Sequence, residues 1–361
     1  MTAPPVTNPV RVLVVDDSAI VRRALTEQLN AQPGITVVGS APDPYVARDL
    51  IFRLKPEVLT LDIEMPRMNG LTFLQKVMKF NPMPVIIVSS LTPASCQMSM
   101  DCLAAGAIHV ACKPQGMYSL GDLGHELGDV IRGARSVTLP KPSAVLPSEA
   151  HAAARPTINL SNTTRKVVAI GASTGGTEAL AKVFSQLPRT CPGTLIVQHM
   201  PPGFTTTFAE RLNNLSEMNV KEAQDGEAVL PGTALLAPGG KHLALAMDGA
   251  RYVARVFEGP RVKRHQPSVE VLFKSTAKHA GKNAIGVIMT GMGDDGGEGM
   301  LDMKNAGCMT VAQDEPTSVV YGMPKVAADL GAAQSIVPLE RIPDEIINFA
   351  ATSNYGTGQA A

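Results

Sequence analysis

Val167-Val168-Ala169-Ile170-Gly171-Ala172-Ser173-Thr174-Gly175-Gly176 is the stretch that decides how this chain folds. A run of apolar residues breaks into a serine and paired glycines, the pattern of a buried strand entering a tight turn before a helix. Two later runs behave the same way. Thr194-Leu195-Ile196-Val197 leads into Gln198-His199, and Ile285-Gly286-Val287-Ile288-Met289 leads into Thr290-Gly291-Met292-Gly293-Asp294-Asp295-Gly296. Short strand-like runs alternating with helical patterns imply a parallel sheet, and in open α/β sheets sites gather outside the carboxyl ends of the strands. A serine, a histidine and a carboxylate are therefore expected on one edge of one sheet. Nucleophilic acyl transfer needs those three residue types.

Working outward, the 361 residues suffice for two domains, and 45% hydrophobic with 18% charged residues describes a globular chain with ample core material. A formal net charge of zero gives no electrostatic reason to expect nucleic acid or an anionic membrane as partner. No apolar run approaches the ~20 residues of a membrane span, and residues 1–9 lack the basic start and apolar core of a secretory signal. Cys96, Cys102, Cys112, Cys191 and Cys308 show no metal-ligand spacing and fit reduced thiols in a cytoplasmic protein.

The first domain is expected over residues 1–132, with strands at 10–15, 36–41, 58–61, 84–88 and 108–111. Helical patterns at 19–29, 44–54, 70–80, 95–105 and 122–132 alternate with them, so a doubly wound parallel sheet follows. Residues 133–164 turn to Pro, Ala, Ser and Thr without period and are expected to be a linker. Alternation resumes over 165–361, a second α/β domain. Within it, residues 222–257 carry turn signals at Asp225-Gly226, Pro231-Gly232, Pro238-Gly239-Gly240 and Asp248-Gly249, and are expected to form a β-hairpin insertion beside the parallel sheet.

In the first domain Asp16 and Asp17 follow the first strand, Asp62 ends the third, Ser89 and Ser90 end the fourth, and Lys113-Pro114 follows the fifth. On a parallel sheet these ends converge. Three clustered carboxylates repel one another unless a divalent cation compensates, and oxygen-only ligands suit Mg²⁺. For Asp17 alone, capping of the next helix is an equally good explanation; the full set is not explained that way. Through Val14-Val15-Asp16-Asp17-Ser18, Leu61-Asp62-Ile63-Glu64-Met65-Pro66, Asn69-Gly70 and Lys113-Pro114, this part of the chain resembles the response-regulator receiver family, a flavodoxin-like fold. The resemblance implies that Asp62 accepts a phosphoryl group. It also implies that Asp16, Asp17, Asp62 and the carbonyl of Glu64 hold Mg²⁺, and that Ser89 and Lys113 are the switch residues. One position departs from the pattern, with Val110 where many receivers place an aromatic residue.

In the second domain Gly171-Ala172-Ser173-Thr174-Gly175 fits G-x-S-x-G, whose glycines permit a turn that exposes the hydroxyl. Alone, the pattern suits a phosphate-binding loop or a helix cap equally well. His199 and the Asp294-Asp295 pair at equivalent strand ends favour catalysis, as does the lack of an acidic residue ~20 positions on to grip a ribose. Among other histidines, His109, His125 and His151 lie outside this domain, His279 falls in a helical run, and His242 and His265 follow loops that could line a cleft. The run Arg261-Val262-Lys263-Arg264-His265 suits either a solvated loop or a docking site for acidic helices.

From Lys166 to Pro324 the chain resembles the chemotaxis protein-glutamate methylesterase family, with a Rossmann-like esterase domain. The resemblance rests on the serine turn, Gln198-His199-Met200-Pro201, Ala237-Pro238-Gly239-Gly240, Thr290-Gly291-Met292-Gly293 with Asp295-Gly296, and Tyr321-Gly322-Met323-Pro324. It implies Ser173 as nucleophile, His199 as general base and Asp295 as the orienting acid. Thr174 and the backbone N–H of Met292 would line the oxyanion site, and no cofactor is expected in this domain. The implied activity is phosphorylation-controlled hydrolysis of glutamyl methyl esters on chemoreceptors, with deamidation of receptor glutamines. A chemotaxis histidine kinase would be the phosphodonor. The rival expectation is a non-catalytic regulator that binds a nucleotide through the glycine-rich loop.

Overall fold

A computed structural model describes residues 8–113, 120–135, 137 and 165–352. In the first part β1 (Val10–Val15), α1 (Ala19–Asn30), β2 (Ile35–Ala41), α2 (Pro44–Leu54) and β3 (Val58–Leu61) come first. They are followed by α3 (Gly70–Phe80), β4 (Val85–Ser89), α4 (Pro93–Ala104), β5 (His109–Cys112) and α5 (Leu120–Ala134). The five strands form one parallel sheet in the order β2-β1-β3-β4-β5, the flavodoxin-like arrangement. Helix starts are written locally. Asp43 accepts the N–H groups of Tyr45 and Val46 ahead of α2, Asn69 that of Thr72 ahead of α3, and Thr92 that of Ser95 ahead of α4. Each satisfies donors that a first helical turn leaves open. α5 runs to Ala134, inside the stretch expected as linker, and residues 138–164 of that stretch lie outside the described residues.

The second part opens with β6 (Val167–Ala172), α6 (Gly176–Phe184), β7 (Gly193–Gln198), α7 (Phe204–Leu215), β8 (Asn219–Glu222) and β9 (Thr233–Leu236). It continues through β10 (His242–Asp248), β11 (Arg251–Phe257), α8 (Val269–Ala280), β12 (Ala284–Ile288) and α9 (Gly297–Asn305). β13 (Met309–Gln313), α10 (Met323–Asp329), β14 (Ser335–Val337) and α11 (Ile342–Ala351) complete it. Seven parallel strands run in the order β14-β13-β12-β6-β7-β9-β8. Every residue of β6, β7 and β12 is buried, as a parallel sheet covered on both faces requires. From β6 the chain steps to β7 on one side and later returns to β12 on the other. Strand order thus reverses between β6 and β12, where such sheets open a crevice.

One expectation is corrected in part. Of residues 222–257 only β10 and β11 form the hairpin, paired antiparallel from His242 to Asp248. β9 and β8 instead extend the parallel sheet beyond β7. Runs as short as Thr233–Leu236 carry no sign of strand direction in their residues, since direction is set by the crossover and not by the strand.

The two sheets' helical layers touch. α4 packs on α6 and α7, the amide of Gly175 donates to the carbonyl of Ile108 at 3.4 Å, and Val319 packs against the apolar cluster beneath α5. Gly133 on α5 lies so close to Met292 that a methyl group there would overlap its sulfur. Among the described residues no helix is long and apolar enough to cross a membrane.

Candidate functional site

The turn after β6 is held by its backbone. Gly175 takes the left-handed conformation (φ 77°), a region glycine enters without penalty. The Ser173 amide donates to the Thr290 carbonyl at 3.0 Å, and the Ser173 carbonyl accepts from Gly176 N–H at 2.7 Å and from Gln198 Nε2 at 2.9 Å. The Thr290 hydroxyl donates to the Thr174 carbonyl at 2.9 Å and accepts the Val320 amide at 3.0 Å. The ends of β6, β7 and β12 are therefore laced together around Ser173, whose side chain is nearly buried.

His199 follows β7, its amide donating to the Ala172 carbonyl at 3.1 Å. Its Nε2 lies 2.7 Å from Oδ2 of Asp295, which is fully buried. An ionised carboxylate only accepts, so Nε2 carries a hydrogen, and Nδ1 is the nitrogen through which the ring would act as a base. That Nδ1 is buried without a hydrogen-bond partner. Asp295 also accepts from the Ser268 hydroxyl at 2.8 Å and from the amides of Val269 at 2.7 Å and Glu270 at 3.0 Å. These are the open donors at the start of α8, where the helix dipole favours negative charge. Burial alone would raise the pKa of Asp295, but the bond and charge of His199, with Ser268 and Glu270, hold it below the usual carboxylate value.

Asp294 faces the other way. It is 43% exposed and pairs with Lys263 at 3.2 Å and Arg264 at 3.4 Å. The basic run at 261–265 is thus tied to acids on both sides, with Lys263 also 3.1 Å from Glu298 and Arg264 4.0 Å from Asp129 on α5 of the first domain. His265 ends this run and lies flat on His199, ring centroids 3.7 Å apart and planes within 10°. Burial, then the neighbouring His199, lower its pKa well below the ordinary histidine value, so it remains uncharged.

A narrow cavity lies over this edge, with Ser173, Thr177, Gln198 and His199 on one wall and Leu103, Ile108, His109 and Val110 on the other. Its volume of about 10 Å³ admits about one water molecule and no ester. The second wall comes from α4 and β5 of the other sheet. Val110, the position that departs from the receiver pattern, is a buried part of that wall.

At the first sheet's edge, carboxylate oxygens of Asp16, Asp17 and Asp62 lie within 4.8 Å of one another. Lys113 bridges two of them, 2.8 Å from Asp16 and 2.7 Å from Asp62. Burial pushes the Asp62 carboxyl up to about 6, Asp16 adds to the rise, and Lys113 pulls against it. Burial works against the Lys113 ammonium too, but its two carboxylate partners prevail and raise its pKa. Charge this concentrated fits a divalent cation. Ser89 is buried at the end of β4, and its carbonyl accepts the Lys113 amide at 2.7 Å. The Glu64 side chain is exposed and accepts the Ser95 hydroxyl at the start of α4, while its amide donates to Asp62 at 3.4 Å.

The structure brings Ser173, Thr174 and His199 to one edge with Asp295 beneath, and Asp16, Asp17, Asp62 and Lys113 to the other edge. Met292 is half-buried against Gly133 of α5 and is not among the residues that line the cavity. Two contributors went unread in the sequence, Ser268 behind Asp295 and Gln198 behind Ser173, while His265, read there as a residue that could line a cleft, stacks on His199. Only Ser268 left a signal, a hydroxyl directly before a helical pattern.

Comparison with known proteins agrees with both halves. The response regulator receiver domain family matches residues 12–122, and the CheB methylesterase family matches residues 168–346. A protein of Anaeromyxobacter dehalogenans named protein-glutamate methylesterase/protein-glutamine glutaminase 4 is 52% identical over 341 residues, covering 94% of this chain and 95% of that one. One of Syntrophus aciditrophicus, named protein-glutamate methylesterase/protein-glutamine glutaminase 2, is 54% identical over 342 residues, covering 94% and 99%. The crystal structure of the Thermotoga maritima CheB methylesterase catalytic domain superposes with a TM-score of 0.50 at 39% identity, covering 51% of this chain and 97% of that one. With this identity spread across nearly its whole length, the chain belongs to the protein-glutamate methylesterase/protein-glutamine glutaminase family, a receiver followed by a CheB methylesterase domain.

Proposed function

We propose that this chain is a receiver-controlled hydrolase that removes methyl groups from glutamyl esters on chemoreceptors and deamidates specific receptor glutamines. The observation that carries the reading is that His199, bonded through Nε2 to fully buried Asp295 and with a buried Nδ1 that has no hydrogen-bond partner, lines the same cavity as Ser173. The Ser173 hydroxyl attacks the ester carbonyl as its proton passes to Nδ1 of His199. The tetrahedral oxyanion collapses, the methoxy group leaves with that proton as methanol, and the acyl group stays on Ser173. Water then attacks with His199 again as base, freeing a glutamate carboxylate and regenerating the serine. With a glutamine the leaving group is ammonia. Thr174 and the Met292 amide are the groups assigned to the developing oxyanion. Asp295 fixes the tautomer and balances the imidazolium.

In the receiver, Asp62 is the phosphoryl acceptor, and Asp16, Asp17, Asp62 and the Glu64 carbonyl would hold Mg²⁺. When bound, that ion offsets the carboxylate charge at the acceptor. Ser89 and Lys113 sense the new phosphoryl group. A chemotaxis histidine kinase supplies it, and the protein works in the cytoplasm, where receptor helices and kinase meet. Release of methanol from methylated receptor membranes, with and without a phosphodonor, tests the reading. Ser173→Ala should lose several orders of magnitude in turnover, and activity within about tenfold of the parent would overturn the assignment.

A further inference from the structure

The ring of His199 hangs from its Cβ and is bonded at its far side to Asp295 through Nε2. Between those two points it can still tilt about the line joining them, and tilting moves Nδ1, the nitrogen assigned to the serine's proton. A second restraint has to act on the ring's plane. His265 supplies it: the two rings lie 3.7 Å apart and within 10° of parallel. We infer that His265 is a positioning residue, a flat neutral wall that holds the plane of His199 so that Nδ1 stays aimed at Ser173. This rests on the assignment of Ser173 and His199 made above.

The chain around His265 is built to put a ring there. Val262 and His265 exchange backbone hydrogen bonds at 3.0 and 2.9 Å, closing a tight turn over Lys263 and Arg264. Both central residues are left-handed, with φ of 48° and 70°. Side-chain-bearing residues adopt that conformation only at a cost, and it persists where the surroundings over-determine it. Here the paired backbone bonds of Val262 and His265 close the turn, and solvent-facing ion pairs of Lys263 with Asp294 and Glu298 and of Arg264 with Asp294 only supplement them. Past the turn, the Gln266 carbonyl accepts the Gly240 amide at 3.2 Å, and Ser268 bonds Asp295. The loop that carries His265 therefore ends on the same carboxylate that orients His199.

The charged groups around this ring argue against a second base. His199 faces it from the β7 edge, Asp295 from the β12 edge, Arg264 from its own turn and His109 from β5. Three of these four oppose a proton on His265, and burial opposes it further. A ring that stays neutral can lie against His199 whether that imidazole is neutral or protonated, without adding a second positive charge when His199 takes the serine's proton. A flat hydrocarbon ring would do the same work.

The test compares His265→Ala, His265→Leu and His265→Phe in the full-length protein, with a phosphodonor, by methanol release from methylated receptor membranes. The alanine and leucine variants should lose about tenfold or more in kcat with KM nearly unchanged, the scale expected when a reacting group is misaimed rather than removed. The phenylalanine variant should recover to within about threefold of the parent, because flatness is kept. Proton NMR gives an independent readout. The ring protons of His199 should show an aromatic ring-current shift in the parent and His265→Phe, and lose it in His265→Leu. Parental kcat in the leucine variant, or equal losses in the leucine and phenylalanine variants, would overturn the inference. Ser173→Ala run alongside separates the two readings: if it stays active, the triad fails, whereas a dead Ser173→Ala beside a fully active His265→Leu removes only the role of His265.

Discussion

Asp294 and Asp295 are adjacent in the chain and opposite in surroundings. Asp295 is fully buried and accepts from His199, Ser268, Val269 and Glu270, whereas Asp294 is 43% exposed and meets Lys263 and Arg264. An amide in place of Asp295 could turn its NH₂ toward His199 and invite the wrong tautomer, the kind of change that costs about 10⁴ in turnover in a comparable triad. Asp295→Asn should accordingly lower kcat by about a hundredfold or more. Asp294→Asn removes only solvent-screened ion pairs, worth about 0–1 kcal/mol, so its loss should stay within about fivefold. Methanol release by both variants decides it, and equal losses would show that the orienting acid has been misassigned.

At the scale of elements, the joint between β6 and α8 sets the site's geometry. β6 passes beneath the start of α8 where Gly171 faces Val269, and a methyl group on Gly171 would overlap both γ-carbons of that valine. The same first turn of α8 supplies two of the amides that Asp295 accepts. A branched side chain at the first turn of a packed helix has little room to yield, so Gly171→Ala should destabilise the protein by about 1–3 kcal/mol through overpacking. It should also lower kcat, because α8 shifts relative to Asp295. Thermal unfolding and methanol release measure the two effects, and a variant with unchanged melting temperature and turnover would show that the joint is slack. The serine turn is the contrasting element. Gly175 has both a left-handed φ and a valine against it, so its glycine is required twice over.

For the whole molecule, the receiver's α4 and β5 form one wall of a cavity too small for substrate. In this arrangement the receiver covers the edge that carries Ser173. A phosphoryl group on Asp62, the acceptor proposed above, would have a route to that wall, since Glu64, two residues on, accepts from Ser95 on α4, and Lys113 follows β5. A tenfold activation requires only about 1.4 kcal/mol of difference between closed and open states. The fragment of residues 161–361 should be more active than the unphosphorylated full-length protein. Asp62→Asn should keep the intact chain at its basal rate when acetyl phosphate is added. A fragment no faster than the unphosphorylated whole would rule out closure as the means of control.

Much of this was legible in the residues. Alternation of strand and helix patterns pointed to two doubly wound sheets, because periodicity is a local property. Ser173, His199 and the Asp294-Asp295 pair were placed on one edge by the rule that parallel strands point the same way. Local sequence carries no account of what approaches from elsewhere. Strand direction for β8 and β9, the stacking of His265 on His199, and the meeting of Asp295 with the first turn of α8 all depend on contacts between distant segments. So does the closing wall of Leu103, Ile108 and Val110, which reads in the chain as ordinary core of the first domain. Composition and order determined which chemical groups this protein owns and at which end of the sheet they emerge. The tertiary structure alone decided what holds the histidine's ring and what covers the serine, and it supplied the physical reason that Asp295 and not Asp294 faces that ring, because burial and orientation are properties of packed neighbours and not of the residue itself.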